Sequence, residues 1–285
     1  MKMQIEDQIY GSFELQAVFQ ELIQSRLFQR LKGIHQGGAV IIADPSISLT
    51  RYEHSIGVSL LINKLGGSLE EQLAGLLHDL SHTAFSHLVD YVLGYENEDY
   101  HEQIFAAYLS DPEIVEILSR YGFDYRSFLD LEKFKLLDYP MPSLCADRID
   151  YTLRDLYHLK KISREDIDWF VDGLVVEEGR IFVKSRRHAN WFRIQFAYLN
   201  DSYFNGKDSQ QASQFMSSTV KQYYQSGLIQ KADFGLTDLQ FIAKIESLSG
   251  LEIRSMYSHW LRNGKDKVEL KFKNRKVLPD ISYTY

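Results

Sequence analysis

The chain of 285 residues has one cysteine, Cys145, so no intramolecular disulfide can brace it, and this fits a reducing compartment. Positive charge is not in excess. Lys and Arg number 32 against 39 Asp and Glu, a net charge of −7, which argues against a general nucleic-acid binder. No run reaches the roughly 18 apolar residues of a membrane span. The opening Met1-Lys2-Met3-Gln4-Ile5-Glu6-Asp7 lacks the apolar core of a secretory leader, so a cytoplasmic location is expected. Internal repeats and low-complexity linkers are also missing. What remains is ordinary globular composition, 45% hydrophobic and 25% charged, with length for one large domain and a small appendage.

Histidine is where the chain is rich. Five of its nine histidines (His54, His78, His82, His87 and His101) fall within about fifty residues, three of them in the segment Leu77-His78-Asp79-Leu80-Ser81-His82-Thr83-Ala84-Phe85-Ser86-His87. Adjacent His78-Asp79, with His54 upstream, offers imidazole and carboxylate ligands suited to Zn, Mn, Fe, Ni or Mg. Ser68-Leu69-Glu70-Glu71 is a capping-box pattern and predicts a helix through Leu73, Leu76 and Leu77 with His78-Asp79 at its end. His82 follows His78 by four residues and shares its face if that helix continues. His87 and His101 are expected at the starts of later helices, and Asp111-Pro112 caps another.

Elsewhere the spacing of Phe19, Leu22, Ile23, Leu27, Phe28 and Leu31 predicts one amphipathic helix. Gly33 to Gly38 break it and can bring backbone close to a ligand, with His35 and Gln36 nearby. A helix over 143–155 carries Asp147, Tyr151 and Asp155 on one face, and the apolar Leu144, Cys145 and Ala146 beside Asp147 argue against simple exposure. Residues 173–183 read as a hairpin around Glu177-Glu178-Gly179. Residues 188–231 read as aromatic-rich helix, and the alternation of 268–273 as a strand.

The blocks Arg51-Tyr52-Glu53-His54-Ser55, His78 to His87, His101-Glu102 and Asp147-Arg148-Ile149-Asp150-Tyr151 to Asp155 resemble the HD phosphohydrolase superfamily. Within it they look like the deoxynucleoside triphosphate triphosphohydrolase branch, which includes the SAM-and-HD-domain enzyme. The resemblance covers roughly residues 5–160, and Ser81 stands where relatives commonly carry Gly. It implies a mainly α HD-domain fold with small β elements in the C-terminal third. It also implies a phosphohydrolase core over residues 1–165 and a helical, partly α+β extension over 166–285 packed upon it. Metal ligands implied are His54, His78, Asp79 and Asp147. His82, His87, His101 and Glu102 take catalytic positions, and Arg51, Gln36, Tyr151 and Asp155 substrate-binding ones. His158, His188 and His259 are read as structural.

Such a set provides what phosphate-ester hydrolysis needs. A divalent ion activates water and neutralises charge, a histidine supplies a proton, and an arginine holds a phosphate. The expectation is a metal-dependent nucleotide phosphohydrolase, foremost a dNTP triphosphohydrolase cutting at the α-phosphorus. Alternatives are an HD-type monophosphatase or phosphodiesterase, and a nucleotide-binding regulator with little turnover. Expected partners are a nucleotide and, by resemblance, further copies of the chain, with no membrane or nucleic acid.

Overall fold

In the computed structural model, whose description covers residues 3–263 and 275–282, the chain is mainly helical with two separate two-stranded antiparallel sheets. The first sheet was not expected. Strands β1 (Met3–Asp7) and β2 (Gly11–Leu15) pair in register Met3 to Leu15, turning at Gly11, whose φ is +89°. The helix predicted over 19–31 is interrupted. Ser25 donates its hydroxyl and its amide to the Leu22 carbonyl, closing α1 (Ala17–Gln24) before α2 (Arg26–Arg30) begins.

Three helices build the frame of the site. Helix α3 (Arg51–Lys64) starts at Thr50, which forms a capping box with Glu53. Helix α4 (Leu69–Leu77) starts at Ser68, whose side chain accepts from the Glu71 amide, and it ends as expected just before His78. After α5 (Leu88–Leu93), α6 (Tyr100–Leu109) and α7 (Pro112–Arg120) comes α8 (Ala146–His158), which lies against α3 as α4 does. The α3–α8 crossing depends on Gly57. A Cβ there would run into the Arg154 guanidinium and the Asp150 carboxylate.

Helix α9 (Arg164–Asp172) leads to the predicted hairpin, β3 (Leu174–Glu177) and β4 (Arg180–Val183). Helix α10 (Arg186–Tyr198) runs into a π-helical turn over Leu199–Phe204, so the predicted long helix of 188–231 is broken before α11 (Lys207–Gln225). Helices α12 (Asp238–Ser249) and α13 (Ile253–Asn263) follow. The strand expected over 268–273 lies outside the described residues.

Buried apolar side chains form two clusters, and each draws on residues from both sides of position 165. One gathers α1 to α4, α8, β3, β4 and α10. The other seats the turn around Phe85 and helix α5 against α11, α12 and α13. At about 25 cal/mol per Å² of apolar area, each fully buried Phe or Leu contributes roughly 1.5–3 kcal/mol relative to exposure. The C-terminal helices thus hold the active-site turn from beneath.

Candidate active site

Three helices converge on His54. It sits fully buried on α3, with Nε2 2.9 Å from Asp147 Oδ1 of α8 and 3.6 Å from Asp79 Oδ2 just past α4. His78 donates Nδ1–H to the Gly75 carbonyl at 2.8 Å, which turns Nε2 toward the carboxylates. That nitrogen lies 3.4 Å from Asp79 Oδ1 and 3.6 Å from Asp147 Oδ1, buried and with no hydrogen-bond partner. Donor atoms of His54, His78 and Asp79 all fall within 4.8 Å of one another, close enough for one ion.

Electrostatics point the same way. Burial disfavours an imidazolium at His54, yet bonds to Asp147 and Asp150 outweigh it and push its pKa up to about 10. Burial likewise opposes ionisation of Asp147 and Asp79. His54 and His78 outweigh it at Asp147, Arg51 and His78 at Asp79, so both carboxyls titrate below their usual range. Carboxylate charge concentrated here, Asp79 buried and Asp147 partly exposed, attracts a cation, and a proton on His54 answers the same pull. Two imidazoles and two carboxylates with one imidazole nitrogen left bare therefore fit a divalent ion, whose binding would release that proton.

Asp150 is a residue whose role the sequence reading missed. Fully buried, it accepts from His54 Nδ1 at 2.9 Å and fixes the tautomer that presents Nε2. Behind it, Arg154 donates to both Asp150 oxygens and to Asp7 of β1 at 2.9 Å. The i, i+4 spacing of Asp150 and Arg154 was visible, but their burial was not.

The other half of the site sits on a turn. Helix α4 does not continue past His78, so the condition under which His82 would share its face is not met. Two tight turns, Leu80 N to Leu77 O and His82 N to Asp79 O, reverse the chain instead. Phe85 and Ser86 then take left-handed backbone conformations, φ 58° and 56°, at a cost of about 1–2 kcal/mol each. The result brings three imidazoles together. His82 stacks on His101 at 4.0 Å between ring centroids, and His87 meets both edge-on at 5.1 and 5.4 Å. His82 Nε2 is 3.1 Å from Asp79 Oδ1, which joins the halves.

The surroundings of these rings favour the neutral form. Burial, then the nearby Arg51 guanidinium, lowers His82 well below its usual value and His87 to about 4. Burial, then His87, brings His101 to about 3. Arg51 donates to Asp79 at 2.8 Å and through Nε to Ser86 Oγ at 3.1 Å. Asp90 lies 3.3 Å from His87 Nδ1, whereas His101 Nδ1 has no partner and Glu102 is exposed on the cavity wall. On this side the carboxylate against an imidazole Nδ1 is Asp90, a residue the sequence reading did not single out.

A cavity of about 740 Å³ opens over both halves. Gln36, Arg51, His78, Asp79, His82, His87, His101, Glu102, Asp147 and Tyr151 line it, so ten of the twelve expected residues meet there. His54 lies beneath the wall and Asp155 one turn beyond Tyr151, and neither lines the cavity. Gln36 Oε1 and Asp155 Oδ2 are buried without partners. Phe204 and Phe196 pack around Tyr151, and the π-helical turn also brings Asn200 to the wall.

Comparison with known proteins agrees with this geometry. The HD domain family model matches residues 51–154, which contain both halves. YdhJ of Bacillus subtilis is 42% identical over 256 residues, 89% of this chain and 78% of that protein. Metal-dependent phosphohydrolase cns2 of Cordyceps militaris is 42% identical over 173 residues, 60% of this chain and 50% of its own. Human deoxynucleoside triphosphate triphosphohydrolase SAMHD1 is 38% identical over 101 residues, 30% of this chain and 16% of the human protein. The chain thus spans half the length of the fungal relative and a small part of the vertebrate one. A divalent-metal donor set at the converging ends of three helices, a family model over that region and a relative matched along most of its length lead to one assignment: this chain belongs to the HD-domain metal-dependent phosphohydrolases.

Proposed function

We propose that this phosphohydrolase acts on nucleotides at the phosphorus nearest the sugar, and that deoxynucleoside triphosphates are its substrates, leaving nucleoside and inorganic triphosphate. The observation that carries the reading is Arg51. Its guanidinium joins Asp79 of the metal-ligand set to Ser86 of the turn bearing His82 and His87. A phosphate held there meets the metal ligands on one side and the imidazoles on the other. The partial similarity to the triphosphohydrolase SAMHD1 supports the same substrate class.

A divalent ion on His54, His78, Asp79 and Asp147, when bound, neutralises phosphoryl charge and acidifies water. The chain's own groups do the rest. Arg51 fixes the phosphate with charge-assisted hydrogen bonds. His82, His87 and His101 start neutral, as hydrogen-bond donors. An arriving phosphate places negative charge beside them and draws their pKa upward, so one ring can hold a proton and deliver it to the leaving oxygen. Glu102 stands next to that group on the wall. Gln36 Oε1 is an unsatisfied acceptor that a sugar hydroxyl would satisfy. Tyr151 offers a sugar an aromatic face, and Asp155 acts from one turn behind it. The expected partition, a phosphohydrolase core over 1–165 and an extension over 166–285, is part of this proposal, as is a cytoplasmic, homo-oligomeric protein.

One observation favours a second reading, a nucleoside monophosphate as substrate. Among the described residues, the cavity lining carries seven carboxylates (Asp79, Glu98, Glu102, Asp130, Glu132, Asp138 and Asp147) against Arg51, Arg148 and Arg275. A divalent ion leaves that lining negative, which suits fewer phosphates. The test is product analysis. The protein is incubated with each dNTP, each NTP and a monophosphate panel, with Mn, Mg, Fe, Ni or Zn in turn, and products are resolved by ion exchange. Nucleoside plus triphosphate supports the first reading. Single phosphate, from monophosphates alone, replaces it with the second.

A further inference from the structure

The two left-handed residues between His82 and His87 are held by a part of the chain that lies outside the HD-domain match. Asp238 opens α12 with its side chain fully buried. Its Oδ1 accepts from the Phe85 amide at 2.6 Å, and its Oδ2 accepts from the His35 amide at 2.9 Å and lies 2.8 Å from His35 Nδ1. One carboxylate thus ties the loop that carries Gln36 to the turn that carries the histidines.

Its neighbours hold the same turn. The Phe234 carbonyl accepts from the Ala84 amide at 3.0 Å. The Gly235 carbonyl accepts from Arg30, which also donates to the carbonyls of Leu80 and His82 at 3.0 and 2.7 Å. Loop and turn are in direct contact. Gly38 has φ +63°, and a Cβ there would stand 2.8 Å from the Phe85 carbonyl oxygen. Ser86 closes the chain of contacts, donating its hydroxyl to the His35 carbonyl at 2.8 Å while accepting from Arg51.

We infer that Asp238 is a positioning residue for catalysis. By locking Phe85 and the His35 loop together, it sets where Arg51, His82 and His87 stand, without touching substrate or metal ligands. The inference rests on the proposed reading only for which reaction it serves. It makes the helices after residue 230 part of the active site and predicts that Asp238 governs turnover while leaving the metal half alone. Locally the left-handed Phe85 is spanned only by the short Thr83–Ser86 bonds, Ser86 amide to Thr83 carbonyl and Thr83 hydroxyl to Ser86 carbonyl, and neither its side chain nor a glycine neighbour favours it. The carboxylate adds its support from 153 positions away.

The test compares Asp238→Asn and Ser86→Ala with wild type in the full chain. Asp238→Asn keeps the shape but places an amide where one acceptor stood. We expect phosphate-ester turnover to fall roughly 10²-fold while Mn affinity, read by calorimetric titration, stays within about twofold. Hydrogen exchange should rise in segments 33–38 and 79–90 and stay unchanged in 51–78. Ser86→Ala, which removes one hydroxyl, should slow turnover with Mn binding intact. The double variant should lose less than the product of the two single losses, because both act through one chain of contacts.

Native turnover and native exchange in Asp238→Asn would overturn the inference. So would joint loss of Mn binding and of protection throughout the molecule, which would make Asp238 a support of the whole fold. If Asp238→Asn does not fold, Ser86→Ala decides, and native turnover there overturns it. If wild type cleaves no nucleotide, the proposed function fails, while the exchange and Mn measurements still judge the positioning role.

Discussion

The two halves of this active site share Asp79 and Arg51 but are made in opposite ways. The metal half stands on α3 and on the ends of α4 and α8, each packed against it, and its imidazoles are drawn toward the charged state by the carboxylates around them. The phosphate half hangs on a turn with two left-handed residues, and its imidazoles are driven to neutrality by burial, with Arg51 adding to the shift at His82 and His87. A cation belongs in the first and an anion beside the second. The difference teaches that one run of ten residues leaving a helix end can serve both charges.

The comparison can be broken most forcefully at the ligands. His54→Ala or Asp147→Ala should leave metal content at background after desalting, by elemental analysis, and abolish turnover. Retention of a stoichiometric ion by either variant would remove that residue from the metal half. Next comes His82→Ala, which should keep the ion and slow turnover by roughly 10²–10⁴. Normal turnover there would end the catalytic assignment of His82 and with it much of the contrast. Asp150→Asn should weaken ion binding by roughly 10- to 100-fold without touching the cavity wall, measured by titration against a competing chelator. Unchanged affinity would mean that Gly75, His78 and the carboxylates suffice to orient the set.

The smallest effect concerns Asp155. Burial pushes its carboxyl up to about 7. The fold then favours the protonated form, so this stabilisation is fully present below the unfolded pKa of about 4 and is lost as pH rises through about 7. Asp155→Asn removes the titration. Melting temperatures of chelator-treated protein, taken from pH 5 to 8, should therefore fall less with pH in the variant than in wild type. Parallel curves would show that Asp155 titrates like an ordinary carboxyl.

The metal half was legible in the sequence because its signals are local. His78-Asp79 follows a helix opened by a Ser68–Glu71 capping box, and Asp147 stands out among apolar neighbours on a predicted helix. The phosphate half was legible in composition but not in shape. Nothing in Thr83-Ala84-Phe85-Ser86 announces a left-handed turn, because much of its support comes from Asp238 and Phe234, far along the chain. Asp150 hid for a related reason. A carboxylate four residues before an arginine usually describes a solvated helix face, and the crossing at Gly57 together with Asp7 and Tyr10 of the first hairpin buries the pair. The N-terminal hairpin escaped although Met3-Gln4-Ile5-Glu6 and Ser12-Phe13-Glu14-Leu15 alternate, because each strand is only five residues long and the alternation spans too few residues to stand out. The break at Ser25 rests on one hydroxyl competing for the Leu22 carbonyl, a choice that helical periodicity does not record.

The Asp7–Arg154 pair has a consequence in time. The two residues are 147 positions apart, so on a growing chain Asp7 is made long before its partner. At about 5–20 residues per second, the wait is on the order of ten seconds. The buried support behind His54 is thus complete only once α8 has emerged and the first hairpin has closed on it.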